Sequence, residues 1–284
     1  MRRYDETILL LQRGSVLVEC GPMRLVISAW VGRVPQPGEA LVAASKAIGF
    51  LEEVASQMER LGACWRRLDR LGLRGIPLEM LESVALVGDE DLTPMASVAG
   101  AIADAVATFL MSRGMTKVIV DNGGDLAIRI GDPEERVRVG LRPRVDQRDL
   151  DKILVLTGQR ASWGVATSGL GGRSLTRGIA WSATALAEKG ALADAAATSI
   201  ANSTWVEWSG VERKKARDVD PHSDIGDLEV TVNIGELPPE VALLGMRKGV
   251  EKARLLMEKG VILGAIIRVG DLSESVGLEG ILEG

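Results

Sequence analysis

Apolar and polar positions divide the chain into short runs with recognisable periods. Residues 7–12, 15–20 and 23–29 read as three short strands, separated by the turns Arg13-Gly14 and Gly21-Pro22. A Pro/Gly linker, Val34 to Gly38, follows. Leu41, Ala44, Ile48, Leu51, Ala55 and Met58 then recur every three or four residues, the single apolar stripe of a long helix. That pattern weakens toward Leu71 and breaks at Gly72, Gly75 and Pro77. Thr93-Pro94 predicts a second helix start, with Thr as N-cap and Pro in the first turn, and Met95, Val98, Ala99, Ile102, Val106 and Leu110 as its buried face.

Further on, 117–120 and 126–130 read as strands around the polar turn Asp121-Asn122-Gly123-Gly124-Asp125. Strands are also expected at 136–142, 152–157 and 161–167, and a glycine-rich stretch runs from Ser168 to Ser174. A helix is expected from about Leu186 to Ala201, a strand at 228–234, a helix after Pro238-Pro239 and a strand at 261–269. The Arg213–Arg217 run, followed by Asp218, Asp220 and Asp224, reads as a solvated loop over 211–224. Residues 270–284, rich in Glu and Gly, are expected to be loosely held.

This alternation predicts an α/β (α+β) fold with mixed sheets flanked by helices, a single domain over 1–284 with room for two sub-lobes. With 284 residues a large core is available. Only 3% of residues are aromatic, so aliphatic side chains must fill it, and a base-stacking surface for single-stranded nucleic acid is disfavoured. The net charge of −5 brings no basic block suited to a nucleic acid backbone. Neither a signal-peptide core nor an apolar run of membrane-spanning length is expected, so the sequence reads as cytoplasmic, with no membrane partner.

Two cysteines, Cys20 and Cys64, make no disulfide framework, and Cys64 reads as a buried hydrophobe within a helical pattern. One histidine, His222, excludes a His-rich zinc site and any triad that needs a second histidine. A bound metal would therefore be a hard cation held by oxygen ligands.

Four segments carry candidate chemistry. Asp194 and Thr198 lie one helical turn apart in an alanine-rich stretch, and a carboxylate and a hydroxyl on one face make part of a hard-cation site. The opposing reading turns Asp194 to solvent and bonds Thr198 back to its own helix. The start of the second helix, rich in small residues from Ala96 onward, suits either an anion or close packing. The Asn122–Asp125 turn suits either a ligand or a plain hairpin. Thr167, Ser168 and Gly169, with Arg173 and Arg177 nearby, are arranged as a strand running into a phosphate-cradling loop, although the glycines match neither the Walker nor the dinucleotide spacing.

The order of these segments resembles the ApbE (flavin-transferase-like) superfamily. Asp91-Leu92-Thr93-Pro94-Met95-Ala96-Ser97 looks like its Asp-Leu-Gly-Gly-Ile-Ala-Lys segment, and Asn122-Gly123-Gly124-Asp125 like its Asn-x-Gly-Gly-Asp. Ala166-Thr167-Ser168-Gly169 looks like Ala-Thr-Ser-Gly, and Ala193 to Thr198 like Ala-Asp-Ala-x-Ala-Thr. The closest likeness is to a branch of that superfamily without an assigned function.

The resemblance implies a magnesium-dependent protein that cleaves the FAD pyrophosphate or transfers FMN to a hydroxyl of an acceptor protein. It implies a metal held by Asp194, Thr198 and the main-chain carbonyl of Ala96. Asn122, Gly123, Gly124, Asp125, Thr167, Ser168 and Gly169 would line the dinucleotide pocket, with Arg173 and Arg177. Two departures stand out. The family lysine is Ser97, and the His and Asp-Pro-x-Thr-Gly segment is replaced by Ser174 to Gly178. Asp91 is then the candidate general base, or a carboxylate that supports the metal's ligands from outside. The alternative is a non-catalytic flavin- or nucleotide-binding protein on the same scaffold.

Overall fold

The structure is a computed structural model that describes residues 5–142, 144, 149–172 and 174–283. Strands β1 (Glu6–Leu10), β2 (Val16–Cys20), β3 (Met23–Val31) and the short β4 (Val34–Pro35) open the chain. Helices α1 (Pro37–Ser56), the one-turn α2 (Met58–Leu61), α3 (Gly75–Val87) and α4 (Val98–Ser112) follow. Next come β5 (Lys117–Asn122), β6 (Asp125–Ile130), β7 (Arg136–Leu141), β8 (Lys152–Thr157), β9 (Ser162–Ser168) and β10 (Ser182–Ala187), then α5 (Gly190–Ser203). The chain closes with β11 (Val211–Lys215), α6 (Ala216–Val219), β12 (Glu229–Ile234), α7 (Pro239–Glu258), β13 (Gly264–Val269), β14 (Leu272–Val276) and β15 (Leu282–Glu283).

Among the described residues one large sheet runs β1-β2-β3-β5-β6-β9-β10-β13-β14, with β4 beside β3. Two small sheets accompany it, β11-β12 and β15-β8-β7. Every ladder described is antiparallel, and the α+β arrangement is as expected.

The two-residue strand period divides the core. On β9, Ala166 faces the helices and Val165 faces the β7–β8 sheet; on β10, Ala185 and Leu186 do the same. One helical layer packs α1 and α4 onto β2, β3 and β5 through residues such as Ala44, Leu51, Ile102 and Val106 against Val18, Leu25 and Val120. The other packs α5 and α7 onto β10 and β13, largely through alanines, with Ile200, Met246, Leu256, Ile267 and Val269 among them. On the far face, Leu154 and Leu156 of β8 cover Ile128, Val165 and Ile266.

Several expectations change. Leu186 and Ala187, expected to start a helix, instead end β10 (Ser182–Ala187), a strand buried along its whole length, and α5 begins only at Gly190. The β10 alanines let α5 lie close to the sheet. Residues 75–87, where the helical pattern breaks, form α3, because Pro77 falls in the first helical turn, where it forfeits no intrahelical bond. The 211–224 loop holds β11, which pairs with β12, and α6. The 270–284 tail supplies β14 to the large sheet and β15 to β8, with Leu278 buried.

Cys64 precedes the 3-10 turn Trp65–Arg67, partly exposed, and its thiol donates to the Glu90 carbonyl. Residues Pro94–Ser112 are long and apolar enough to pass a membrane-span test by composition alone, contrary to expectation, but much of this stretch is core: Ala101, Ile102, Val106 and Leu110 are buried.

Candidate functional site

The site is built where α4 and α5 cross. Gly100 and Gly190 let the backbones meet: a Cβ on Gly100 would lie 2.2 Å from the Gly190 carbonyl oxygen. At this contact each helix supplies the carboxylate that satisfies the other's first turn. Asp194 Oδ2 of α5 accepts from the Gly100 amide at 3.0 Å, and Asp104 Oδ2 of α4 accepts from the Ala191 amide at 2.9 Å. Asp104 is also paired with Arg129 at 2.7 Å. Asp194 has no such cation among the described residues.

Asp194 therefore does not face solvent. Its carboxyl is enclosed, and burial pushes its pKa up to about 7, while the Gly100 and Ala99 amides pull the other way. The residue as a whole keeps partial exposure, as do Thr198 and Ala96. Thr198, on the same helical face, has no hydrogen-bond partner among the described residues, so the back-bonded alternative is not what it adopts. Ala96 lies in the 3-10 turn Pro94–Ser97, which packs on α5.

The Asn122–Asp125 turn reaches the same place. Gly123 and Gly124 form a two-residue hairpin loop with φ of 70° and 112°, a left-handed pair that glycine adopts freely. The hairpin sets the Asn122 amide against the Ala99 carbonyl at 3.1 Å. Asn122 and Asp194 thus grip the two ends of one peptide unit, Ala99 C=O and Gly100 N–H. Across the ladder, Asp125 Oδ1 accepts from the Thr167 amide at 3.4 Å, and the Thr167 and Thr184 hydroxyls are 2.8 Å apart. Ser168 is buried beside them, and Gly169 follows with φ of 139°.

Asp91 and Arg177 lie elsewhere, in loops beside the C-terminal end of α5. Asn202 is eight residues, about 12 Å of helix, beyond Asp194, and its Oδ1 accepts from the Arg177 amide at 2.8 Å. Thr204 accepts from the Ile179 and Ala180 amides, fixing the segment that carries Arg177. Arg177 bonds Asp91 at 2.6 Å. Both line an open cleft of about 510 Å³ with Asp89, Asn202, Trp205, Arg213, Lys248 and Lys252. Arg173 lies outside the described residues.

Sequence reasoning missed part of this neighbourhood. The Thr93 hydroxyl, expected to cap a helix, instead donates to the Asp224 carboxylate. Ser97, at the family lysine position, is fully buried and donates to the Met80 and Pro94 carbonyls. Arg213 was hidden in what reads as a solvated run. Lys248 and Lys252, one turn apart on α7, carry a helix-face signal that becomes meaningful only once α7 lies beside α5.

A family model described as AbpE bacteria matches residues 8–277, nearly the whole chain, and the protein belongs to that family. The ApbE resemblance of the four motifs agrees with it. Among curated relatives, a UPF0280 protein of Methanothermobacter thermautotrophicus is 40% identical over 116 residues, covering 40% of this chain and 43% of the relative. A UPF0280 protein of Methanoregula boonei is 34% identical over 155 residues, covering 52% and 62% respectively. The matched regions thus span less than two thirds of those relatives. Among solved structures, the flavin transferase ApbE from Vibrio cholerae aligns with a TM-score of 0.49 at 12% identity, over 98% of this chain and 99% of that one. The Pseudomonas stutzeri flavinyl transferase ApbE aligns at 0.42 and 16%, over 97% and 96%.

Proposed function

We propose that this is a magnesium-dependent protein acting on FAD or a related nucleotide, by pyrophosphate cleavage or by transfer of FMN to a hydroxyl of an acceptor protein. The observation that carries the reading is Asp194: an enclosed carboxylate without a cationic partner among the described residues, one turn from an unpartnered Thr198 hydroxyl. The donor set fits a hard cation. Magnesium is commonly held by one or two carboxylates and completed by substrate phosphates and water, so a single Asp with a hydroxyl and the Ala96 carbonyl is sufficient protein ligation. Among the described residues no cluster of three or more His, Cys, Asp or Glu competes as a metal centre.

When bound by Asp194, Thr198 and the Ala96 carbonyl, magnesium would supply the positive charge that offsets the charge developing on the leaving AMP. The chain's own residues position the ligand. Asn122 and the hairpin glycines fix the mouth of the pocket, and Thr167 with Ser168 and Gly169 forms its wall. Arg173 and Arg177 are its candidate cations, and Asp91 is its candidate base. The flavin or nucleotide partner, an acceptor protein and a cytoplasmic location are parts of the same proposal.

A second reading, a non-catalytic flavin or nucleotide binder, is favoured by one specific observation. Ser97 spends its hydroxyl inside the fold, and no histidine stands in 174–178, so two family side chains have no substitute. Incubation with FAD and magnesium, followed by chromatography for AMP, separates the two. Magnesium-dependent AMP release, lost in Asp194→Asn, is expected of the enzyme. Flavin binding without AMP supports the binder, and no binding at all rejects both.

A further inference from the structure

The cleft at the C-terminal end of α5 sets two cations that the reading above does not use, Arg213 and Lys248, beside Arg177 and Asp91. Both Arg177 and Arg213 line this cleft, and burial lowers the pKa of Arg213, with Glu229 opposing it and the Arg177 charge adding to it. The Nε atoms of both are buried without an acceptor. Arg213 lies 4.1 Å from the centroid of the Trp205 ring, which fixes the plane of its fork. Lys248 Nζ is held over the same place by the Trp205 carbonyl at 2.8 Å and has no carboxylate partner among the described residues. Three cations thus line one cleft; Arg177 is paired with Asp91, while Arg213 gives Nη1 to the Glu229 carboxylate and Nη2 to the Glu229 main-chain carbonyl, each nitrogen keeping a second N–H.

We infer that this cleft binds the phosphate group of a small metabolite, bridged by the Arg177 and Arg213 forks and closed by Lys248, with Asp91 as the internal carboxylate that the phosphate replaces on Arg177. Guanidinium forks match phosphate geometry, and a dianion relieves the repulsion between two arginines better than one carboxylate does. The volume, about 510 Å³, suits a small molecule and not a polymer. The site shares Arg177 and Asp91 with the nucleotide pocket of the reading above, on which it rests for those two residues, but needs no magnesium at Asp194.

Isothermal titration of the full chain with inorganic phosphate, at low salt and without magnesium, tests it. Saturable binding is expected, weakened roughly tenfold by Arg213→Gln and by Lys248→Gln, since each removes one charge-assisted contact. Asp91→Asn, which frees Arg177 of its competitor, should tighten binding severalfold. Asp194→Asn should leave it unchanged, so failure here and failure of the magnesium reading are separate outcomes. Lys248 is exposed, so its variant tests the site even if Arg213→Gln fails to fold. Absence of saturable binding by protein that is folded by circular dichroism overturns the inference. So does an affinity indifferent to both Gln variants, or acetate binding as tightly as phosphate.

Discussion

At the scale of single residues, Asp194 determines most of what can be measured. Its pKa in the folded protein, about 7, lies above the ordinary carboxyl value of 3.8. The folded state therefore binds a proton that the unfolded chain releases between those two values, and stability falls as pH rises across that window. Thermal melts in a chelator should show the midpoint dropping from about pH 4 to about pH 7 and levelling above it. Asp194→Asn should remove this component, and excess magnesium should raise the wild-type midpoint on the plateau. A profile identical in the Asn variant would show that Asp194 is not the group responsible. Spacing put Asp194 and Thr198 on one face, but whether that face turns inward depends on what α5 packs against, which no local pattern records.

At the scale of elements, the crossing of α4 and α5 is the tightest demand on sequence. Gly100→Ala would place a methyl group against the Gly190 carbonyl, where neither backbone can yield cheaply. We expect a loss of about 3 kcal/mol in urea denaturation, at the upper end for overpacking. A loss under about 0.5 kcal/mol, in the range of an ordinary surface change, would show that the helices can part. Long elements with strong periods were legible: α1, α4, α7 and the β5–β6 hairpin lie where their patterns put them. β10 was not, because Ser-Ala-Thr-Ala-Leu-Ala has the composition of a helix and becomes a strand only through pairing with β9 and β13. α3 was obscured by Gly75 and Pro77, which open the helix instead of breaking it.

At the scale of the whole molecule, the sheet draws its far edge from the last residues of the chain. Truncation after Gly277 removes Leu278, which is only 4% exposed, and the β15 pairing with β8. Burial of one leucine alone is worth about 2 kcal/mol, so the shortened chain should unfold at distinctly lower urea; an unchanged midpoint would return the tail to the surface. Composition made that segment look dispensable, since Gly and Glu conceal two isolated apolar anchors, Leu278 and Ile281. The family was readable from four short motifs, and the proposed Asp194 site rests on two of them. The cleft beyond it was not, because its arginines and lysine come from segments brought together only by the packing of α5 and α7.

The exchange of carboxylates between α4 and α5 has one more consequence. Neither helix start is held by its own helix alone, since each first turn is tied to a carboxylate in the second turn of the other. A ligand that draws on Asp194 therefore reaches into the joint of the molecule, and what occupies that carboxylate sets how readily the two helices separate.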